Sequence, residues 1–316
     1  MASYDTIHLK VPRDSVSDGQ VSYLTSKLSG TSYHQDQWGE PTWTGGNLEN
    51  MKVTISNNSI KFKGSANKFF YGHNLTNIGL HDSCLAFEKL QDESQLILKD
   101  AQVTRIDVGH NMKMDYKPEL YISYLGDSAR YKTVTYDTSK YWKNAQRQTV
   151  FYCKGTEMKS ASRKMGSTID PNLIEPNLAR LEHRWTKGLN SRFNRNKITI
   201  QTLTEPDFYV QIHEMWKAEY EAIQKVHKVD FFSSGISTGK QFFDSMTAHC
   251  LIEYMGVDNA GQIINEMNAK GIFKNSSECS RARKRLRELS SSPRLTYEGE
   301  MVKELNQKVR MVEPCI

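Results

Sequence analysis

The sequence predicts an α+β fold: an antiparallel or mixed sheet with helices on one face, followed by a C-terminal helical region. Three observations predict it. Short runs in the first two hundred residues alternate apolar with polar side chains, the period of a half-buried strand. Helical stretches fall between them at irregular intervals, which argues against a doubly wound parallel sheet. After Pro206 the pattern changes to that of amphipathic helices. A boundary near residue 205 follows, dividing the chain into a sheet domain over 1–205 and a helical domain over 206–316.

Ile7, Leu9 and Val11 alternate with His8 and Lys10, which predicts a strand. Val53-Thr54-Ile55 and Ile60-Lys61-Phe62 flank Asn57-Asn58 and predict a hairpin; asparagines tolerate the positive φ of a tight turn. Asn77 to Leu90 reads as a helix. Leu96-Ile97-Leu98 and Val103 to Val108 read as strands, Leu120 to Leu125 as a short helix, and Val134 to Tyr136 and Val150 to Lys154 as strands. Leu178 to Trp185 fits both periods: Leu178, Leu181 and Trp185 lie at helical spacing, while Arg180, Glu182 and Arg184 alternate with Leu181, His183 and Trp185. Lys197 to Leu203 reads as a strand. Ile212, Met215, Trp216, Ile223 and Val226 mark a helix, and further helices follow over Lys240 to Tyr254, Ala260 to Lys270 and Ser277 to Leu289. Asn275 is placed to cap the last of these, with Glu278 three residues on.

Composition narrows the class. The 316 residues carry 42 Lys+Arg against 36 Asp+Glu, a formal charge of +6, which suits a nucleic-acid partner without requiring one. There is no run of 18 apolar residues, and the N-terminus lacks the charged start and apolar core of a signal peptide, so no membrane association is expected. Five scattered cysteines without a Cys-x-x-Cys argue against a zinc ribbon and for free thiols in a reducing cytoplasm. Gly235-Ile236-Ser237-Thr238-Gly239-Lys240 has one residue too few between its glycines for a phosphate loop, so helicase activity would come from a partner.

The chemistry concentrates around Tyr152. As a strand, the stretch to Lys154 puts Tyr152 and Lys154 on one face and Phe151 and Cys153 on the other. A phenol with a reference pKa of about 10 is a poor nucleophile at neutral pH, and a neighbouring lysine would favour the phenolate. Glu157 lies close enough to handle a proton. Val103 to Val108 puts Arg105 and Asp107 on one face; their plainer reading is a surface ion pair worth under ~1 kcal/mol. Glu182 alternates with Leu181 and His183. A sheet with its apolar side against helices would show Asp107, Tyr152, Lys154 and Glu182 together on its open side. Carboxylates there are natural ligands for Mg²⁺ or Mn²⁺.

Ala66-Asn67-Lys68 leading to Gly72-His73-Asn74, then Thr104-Arg105-Ile106-Asp107, Tyr152-x-Lys154-x-x-Glu157 and Arg180-Leu181-Glu182, resemble in order and spacing the replication initiators of filamentous phages. This is the gene II/gene X protein family, related to rolling-circle initiators. The match spans roughly residues 5 to 195. It implies a sheet-based, HUH-endonuclease-like nicking and joining domain over 1–205, with Tyr152 as the nucleophile. No His-x-His occurs among the nine histidines. The expected metal ligands are Asp107 and Glu182, with Glu157 or His73 as a third.

The implied activity is rolling-circle initiation. One strand of a double-stranded origin is nicked, a 5′-phosphotyrosyl intermediate forms, and the displaced single strand is later rejoined. The expected partners are origin DNA and host replication proteins, a helicase and a polymerase, in the bacterial cytoplasm. The alternative is a non-catalytic, sequence-specific DNA-binding protein of the same fold. Arg105, Arg180, Arg184, Lys187 and Arg192 flank the site as candidate DNA contacts. Arg281, Arg283, Lys284, Arg285 and Arg287 cluster on one C-terminal helix. Tyr71, Tyr116, Tyr121, Tyr131, Tyr136 and Tyr141 are unranked candidates for a second acceptor during closure.

Overall fold

The structure is a computed structural model and describes all residues except 36, 40, 166–174, 227, 230–237, 292–295 and 298. In chain order, β1 (Ser3–Pro12) precedes α1 (Asp18–Lys27), the strands β2 (Ser29–Gln35), β3 (Pro41–Leu48), β4 (Met51–Ser56) and β5 (Ser59–Ser65), and the helices α2 (Ala66–Tyr71) and α3 (Leu80–Ser94). Then come β6 (Gln102–Lys113), α4 (Pro118–Ile122), β7 (Lys132–Tyr136), β8 (Ser139–Lys143), β9 (Arg147–Cys153), α5 (Lys154–Met165) and β10 (Leu178–Trp185). The short helices α6 (Leu189–Arg192) and α7 (Ile200–Leu203) lead into α8 (Pro206–Glu221). The remaining elements are β11 (Lys228–Val229), α9 (Gly239–Met255), α10 (Val257–Ala269), α11 (Ser276–Ser291), β12 (Thr296–Tyr297) and α12 (Glu300–Arg310).

The chain forms two compact units, Met1–Lys225 with Met301–Ile316, and Val226–Glu300. The first is a mixed α+β unit built on a ten-stranded sheet in the order β2-β3-β4-β5-β1-β6-β10-β9-β8-β7. Its strand pairs are all antiparallel. The first strand in sequence lies at the centre, because the connection through α2 and α3 carries the chain from one side of β1 to the other.

The alternation in β1 buries Ile7, Leu9 and Val11 and leaves Lys10 exposed. Those apolar residues pack with Leu24 of α1, Phe87 and Leu90 of α3, and Phe208, Tyr209 and Ile212 of α8 in one core. Tyr4 sits between Phe87 and Tyr209, with ring centroids 6.3 Å and 5.4 Å away. The expected division at 205 falls just ahead of α8, whose buried face belongs to the first unit's core. Met301–Ile316 returns to that unit: the Tyr121 hydroxyl donates to Glu304, and Tyr220 donates to Asn306 Oδ1.

Several local expectations change. Leu96-Ile97-Leu98 is not a strand; Leu96 and Leu98 anchor a connection after a left-handed Gln95, and Ile97 is exposed. Lys197 to Leu203 is not a strand either. A Thr199–Thr202 capping box starts the helical turn α7 there, satisfying amides that a strand would have paired. The β4–β5 hairpin forms with Ile55 opposite Ile60, but Asn57 and Asn58 are not among the positive-φ residues. The Ser56 hydroxyl closes the turn, accepting from Ser59 N–H and donating to Ser59 O. Leu178 to Trp185 resolves as a strand, paired with β6 and β9. In the second unit Asn275 Oδ1 accepts from the Glu278 amide at 3.0 Å, the expected start of α11. The Gly and Ser residues at 235–237 lie outside the described residues. No helix among those described is long and apolar enough to cross a membrane.

Candidate active site

Residues directly opposite on neighbouring strands point to the same side of a sheet. Arg180 on β10 faces Tyr152 on β9 and Asn111 on β6, Glu182 faces Val150 and Gly109, and Arg184 faces Gln148 and Asp107. Tyr152, Asp107 and Glu182 therefore share one face, opposite Phe151, Ile106 and Leu181. Lys154 departs from its expected place: β9 ends at Cys153, and Lys154 opens α5. Its buried ammonium lies 5.8 Å from the centre of the Tyr152 ring and donates to Glu157 Oε2 at 2.7 Å.

Glu182 is the hub. Tyr152 Oη donates to Glu182 Oε2 over 3.4 Å, Arg180 Nε to the same oxygen over 3.3 Å, and Arg184 Nε to Oε1 over 2.6 Å. Arg180 has no exposed surface. Its other contacts are Asp5 Oδ2 at 3.0 Å and Asn111 Oδ1 at 2.9 Å. Gly109 makes room for it, since a Cβ at that position would stand 2.5 Å from Arg180 Nη2. Asp5 accepts from Ser65 Oγ at 2.6 Å, and Asn111 Nδ2 donates to the carbonyls of Asn74 and Leu75 at 2.9 and 2.8 Å. Asn74, not His73, is the part of the Gly72-His73-Asn74 loop that meets the network. His73 Nδ1 accepts from the Leu75 amide at 3.4 Å.

The donor set does not fit a divalent cation as arranged. Among the described residues no three His, Cys, Asp or Glu side chains are placed to hold a metal. Asp107 is instead held by both arms of Arg105, at 2.7 and 2.6 Å, with Arg184 Nε 3.9 Å away. Guanidinium groups pair with both carboxylates, and His73 does not join them.

The electrostatics follow from burial. Burial, then the Glu182 charge, holds the Tyr152 phenol well above its ordinary value, with Arg180 pulling the other way. The expected lowering by Lys154 does not appear: burial, then Arg180, depresses the Lys154 ammonium itself. Burial pushes Asp107 up to about 7 against the Arg105 hydrogen bonds, and the neighbouring Glu182 charge adds to the rise. Burial disfavours the ionised Asp5, yet Arg180 and the Ser65 hydroxyl bring it below the usual carboxylate range.

An open cleft of ≈ 260 Å³ adjoins Tyr152, lined also by Ser139, Tyr141, Thr156, Glu157 and Arg184. Of the tyrosines left unranked by sequence, Tyr141 lines this cleft.

A family model for the N-terminal part of a phage replication-associated protein, the gene II product, matches residues 4–219. The chain belongs to that family. No curated protein matches it. The matched stretch contains the whole Tyr152–Glu182–Asp107 cluster, and the phage gene II resemblance read from the motifs agrees with it.

The DNA contacts expected of this replication initiator separate by burial. Arg180 is fully enclosed, so it cannot reach a nucleic acid. Arg105 is committed to Asp107, and Arg192 pairs with Glu219 at 3.3 Å. Arg184 faces the cleft, and Lys187 is exposed. On α11, Arg281 donates to Ser277 O, Arg283 to Asn265, and Lys284 and Arg285 lie near Glu288. Sequence reasoning missed Asp5, Ser65 and Asn111, which position Arg180. Each is a common polar residue whose partner lies far away in sequence.

Proposed function

We propose that the gene II-type initiator nicks and rejoins one DNA strand through Tyr152, with Glu182 as the proton acceptor. The observation that carries this reading is the Tyr152 Oη to Glu182 Oε2 contact of 3.4 Å at the edge of a cleft that Arg184 also lines. A phenol held well above its ordinary pKa is inert until a base takes its proton, and a carboxylate within hydrogen-bond reach supplies one.

The phenol oxygen attacks the scissile phosphorus as its proton passes to Glu182. The bond to the 3′ oxygen breaks, leaving the 5′ phosphate on Tyr152; the departing oxygen takes a proton from solvent and becomes a free 3′-OH. Arg184, anchored through Nε by Glu182, keeps its Nη donors for the non-bridging phosphate oxygens, a fork suited to phosphate. Arg180 offsets the charge on Glu182 and on the forming phenolate. In the closing step a 3′-OH attacks the phosphotyrosine phosphorus and gives its proton to solvent, the bond from phosphorus to the Tyr152 oxygen breaks, and Glu182 returns its proton to the phenol. The phosphodiester energy stays in the covalent bond, so joining needs no nucleotide. No step is assigned to Mg²⁺ or Mn²⁺, which the arrangement of donors does not favour.

The substrate on this reading is a double-stranded origin in the bacterial cytoplasm, opened to expose one strand. A host helicase and polymerase act on the products. The test is a covalent adduct assay on labelled supercoiled origin DNA, with mass spectrometry of the trapped protein–oligonucleotide. Attachment at Tyr152, and its loss in Tyr152→Phe, is expected. A labelled Tyr152→Phe protein would overturn the assignment.

A further inference from the structure

The open face carries a second feature beside the cluster. Four basic positions lie directly opposite one another across four strands: Lys52 on β4 faces Lys63 on β5, Lys63 faces His8 on β1, and His8 faces Arg105 on β6. One step along, Lys61 faces Lys10. Like charges directly opposite in a sheet destabilise it. Lys10, Lys52, Lys61 and Lys63 are exposed, and among the described residues none pairs with a carboxylate. Neither β4 nor β5 contains an acidic residue. Burial, then Arg105 and Lys63, push His8 down to about 4, so it stands neutral in the row at physiological pH.

The Lys10–Lys61 row continues through Thr54 on β4 to Gly45 on β3, where it meets aromatic rings, while the Lys52 row ends at Asn47. Trp43 on β3 faces Ser56 and His34, on the same side as Thr54 and Lys61, and its ring stacks on His34 with centroids 5.0 Å apart. It leans over Gly45, where a Cβ would meet the indole at 2.7 Å. At roughly 4.8 Å per strand, six strand steps separate β3 from β9, about 29 Å across the sheet, and Tyr152 lies level with Asn111, about 20 Å along β6 from Arg105 at roughly 3.3 Å per residue.

We propose that the face formed by Lys52, Lys61, Lys63 and Lys10, with the Trp43–His34 stack at its far end, is a track for single-stranded DNA leading to Tyr152. A row of cations on a pleated surface follows one sugar–phosphate backbone, and an aromatic face stacks a base without regard to its identity. The bound strand relieves a repulsion that the free protein carries. The track rests on the nicking reading for its direction, since it runs from the aromatic pair toward the nucleophile.

The test is binding of the full chain to a labelled oligothymidylate and to a duplex of equal length, by fluorescence anisotropy over a salt series. Single strands give a log–log salt slope of about −0.7 per phosphate contact, so replacing the four lysines by alanine should flatten the slope by about 3. Lys→Arg at the same positions should restore it. Trp43→Ala should weaken oligothymidylate binding about 5- to 150-fold, the equivalent of about 1–3 kcal/mol, with the slope kept. The four-alanine protein without DNA should melt higher at low salt, because the repulsion is gone. An unchanged slope, an equal loss of duplex binding, or a lower melting point would each overturn the track. Binding is read without chemistry, so these outcomes are separate from the Tyr152→Phe adduct result. A protein that makes no adduct yet shows the flattened slope retains the track and loses only the nicking.

Discussion

Glu182 stands between the Tyr152 hydroxyl, 3.4 Å from its Oε2, and two guanidinium groups that hold it in place. A carboxylate so placed is a base with a fixed aim. Glu182→Gln keeps the shape and removes the proton acceptor. Nicking by this variant should fall by about 10²- to 10⁴-fold, with adduct formation falling in step. Single-turnover nicking within a few-fold of the parent would remove Glu182 from that role.

Arg180 carries the interior of the site. Its loss leaves Asp5 buried without its guanidinium partner and Glu182 with Arg184 alone. Arg180→Met should cost about 3–5 kcal/mol in denaturant unfolding. Gly109→Ala should destabilise through the same guanidinium, because the added methyl takes its space. If the two substitutions add without coupling, the close approach at Gly109 is not what holds Arg180.

Asp107 ties stability to pH. Its folded value of about 7 lies above the ordinary 3.8, so the folded chain binds this proton more tightly than the unfolded one. The resulting stability is fully present below about pH 4 and is lost as pH rises through about 7. Asp107→Asn should flatten the decline of unfolding free energy across that window, by a few kcal/mol at most. The readout is the slope with pH, because the absolute value also carries the altered Arg105 contact. Parallel curves for the two proteins would contradict the shift.

The pairing of carboxylates with arginines predicts the response to divalent cations. Mg²⁺ or Mn²⁺ added to the DNA-free protein should leave its thermal midpoint unmoved. A concentration-dependent rise that Asp107→Asn abolishes would show the carboxylates exchanging their guanidinium partners for metal.

The exposed basic residues of α11 predict a different salt signature. Arg283→Ala, Lys284→Ala and Arg287→Ala together should reduce the salt slope of duplex origin binding by up to about 2.7, at about −0.9 per phosphate contact. An unchanged slope would take α11 out of the DNA interface.

The face holding Tyr152, Asp107 and Glu182 could be read from alternation alone, because a half-buried strand writes its geometry into every second residue. The reading failed where local pattern and local structure part. Leu96 and Leu98 look like strand residues because a buried connection also needs apolar anchors. Ile200–Leu203 looks like a strand until Thr199 and Thr202 are recognised as a cap. Lys154 shares a period with Tyr152, but the helix begins one residue earlier than the period suggests. Arg180 read as a DNA contact because charge is visible in sequence and enclosure is not. Its partners Asp5 and Asn111, and the Ser65 and Asn74 that hold them, come from parts of the chain brought together only by the central placement of β1.

The short pairing of Lys228 with Tyr297 and of Val229 with Thr296 has an architectural consequence. It holds the entry and exit of the Val226–Glu300 unit side by side, while Met301–Ile316 resumes the first unit. The second unit is thus an insertion at a single site of the chain path. A lineage could exchange, enlarge or discard it without re-threading any strand of the sheet that bears Tyr152.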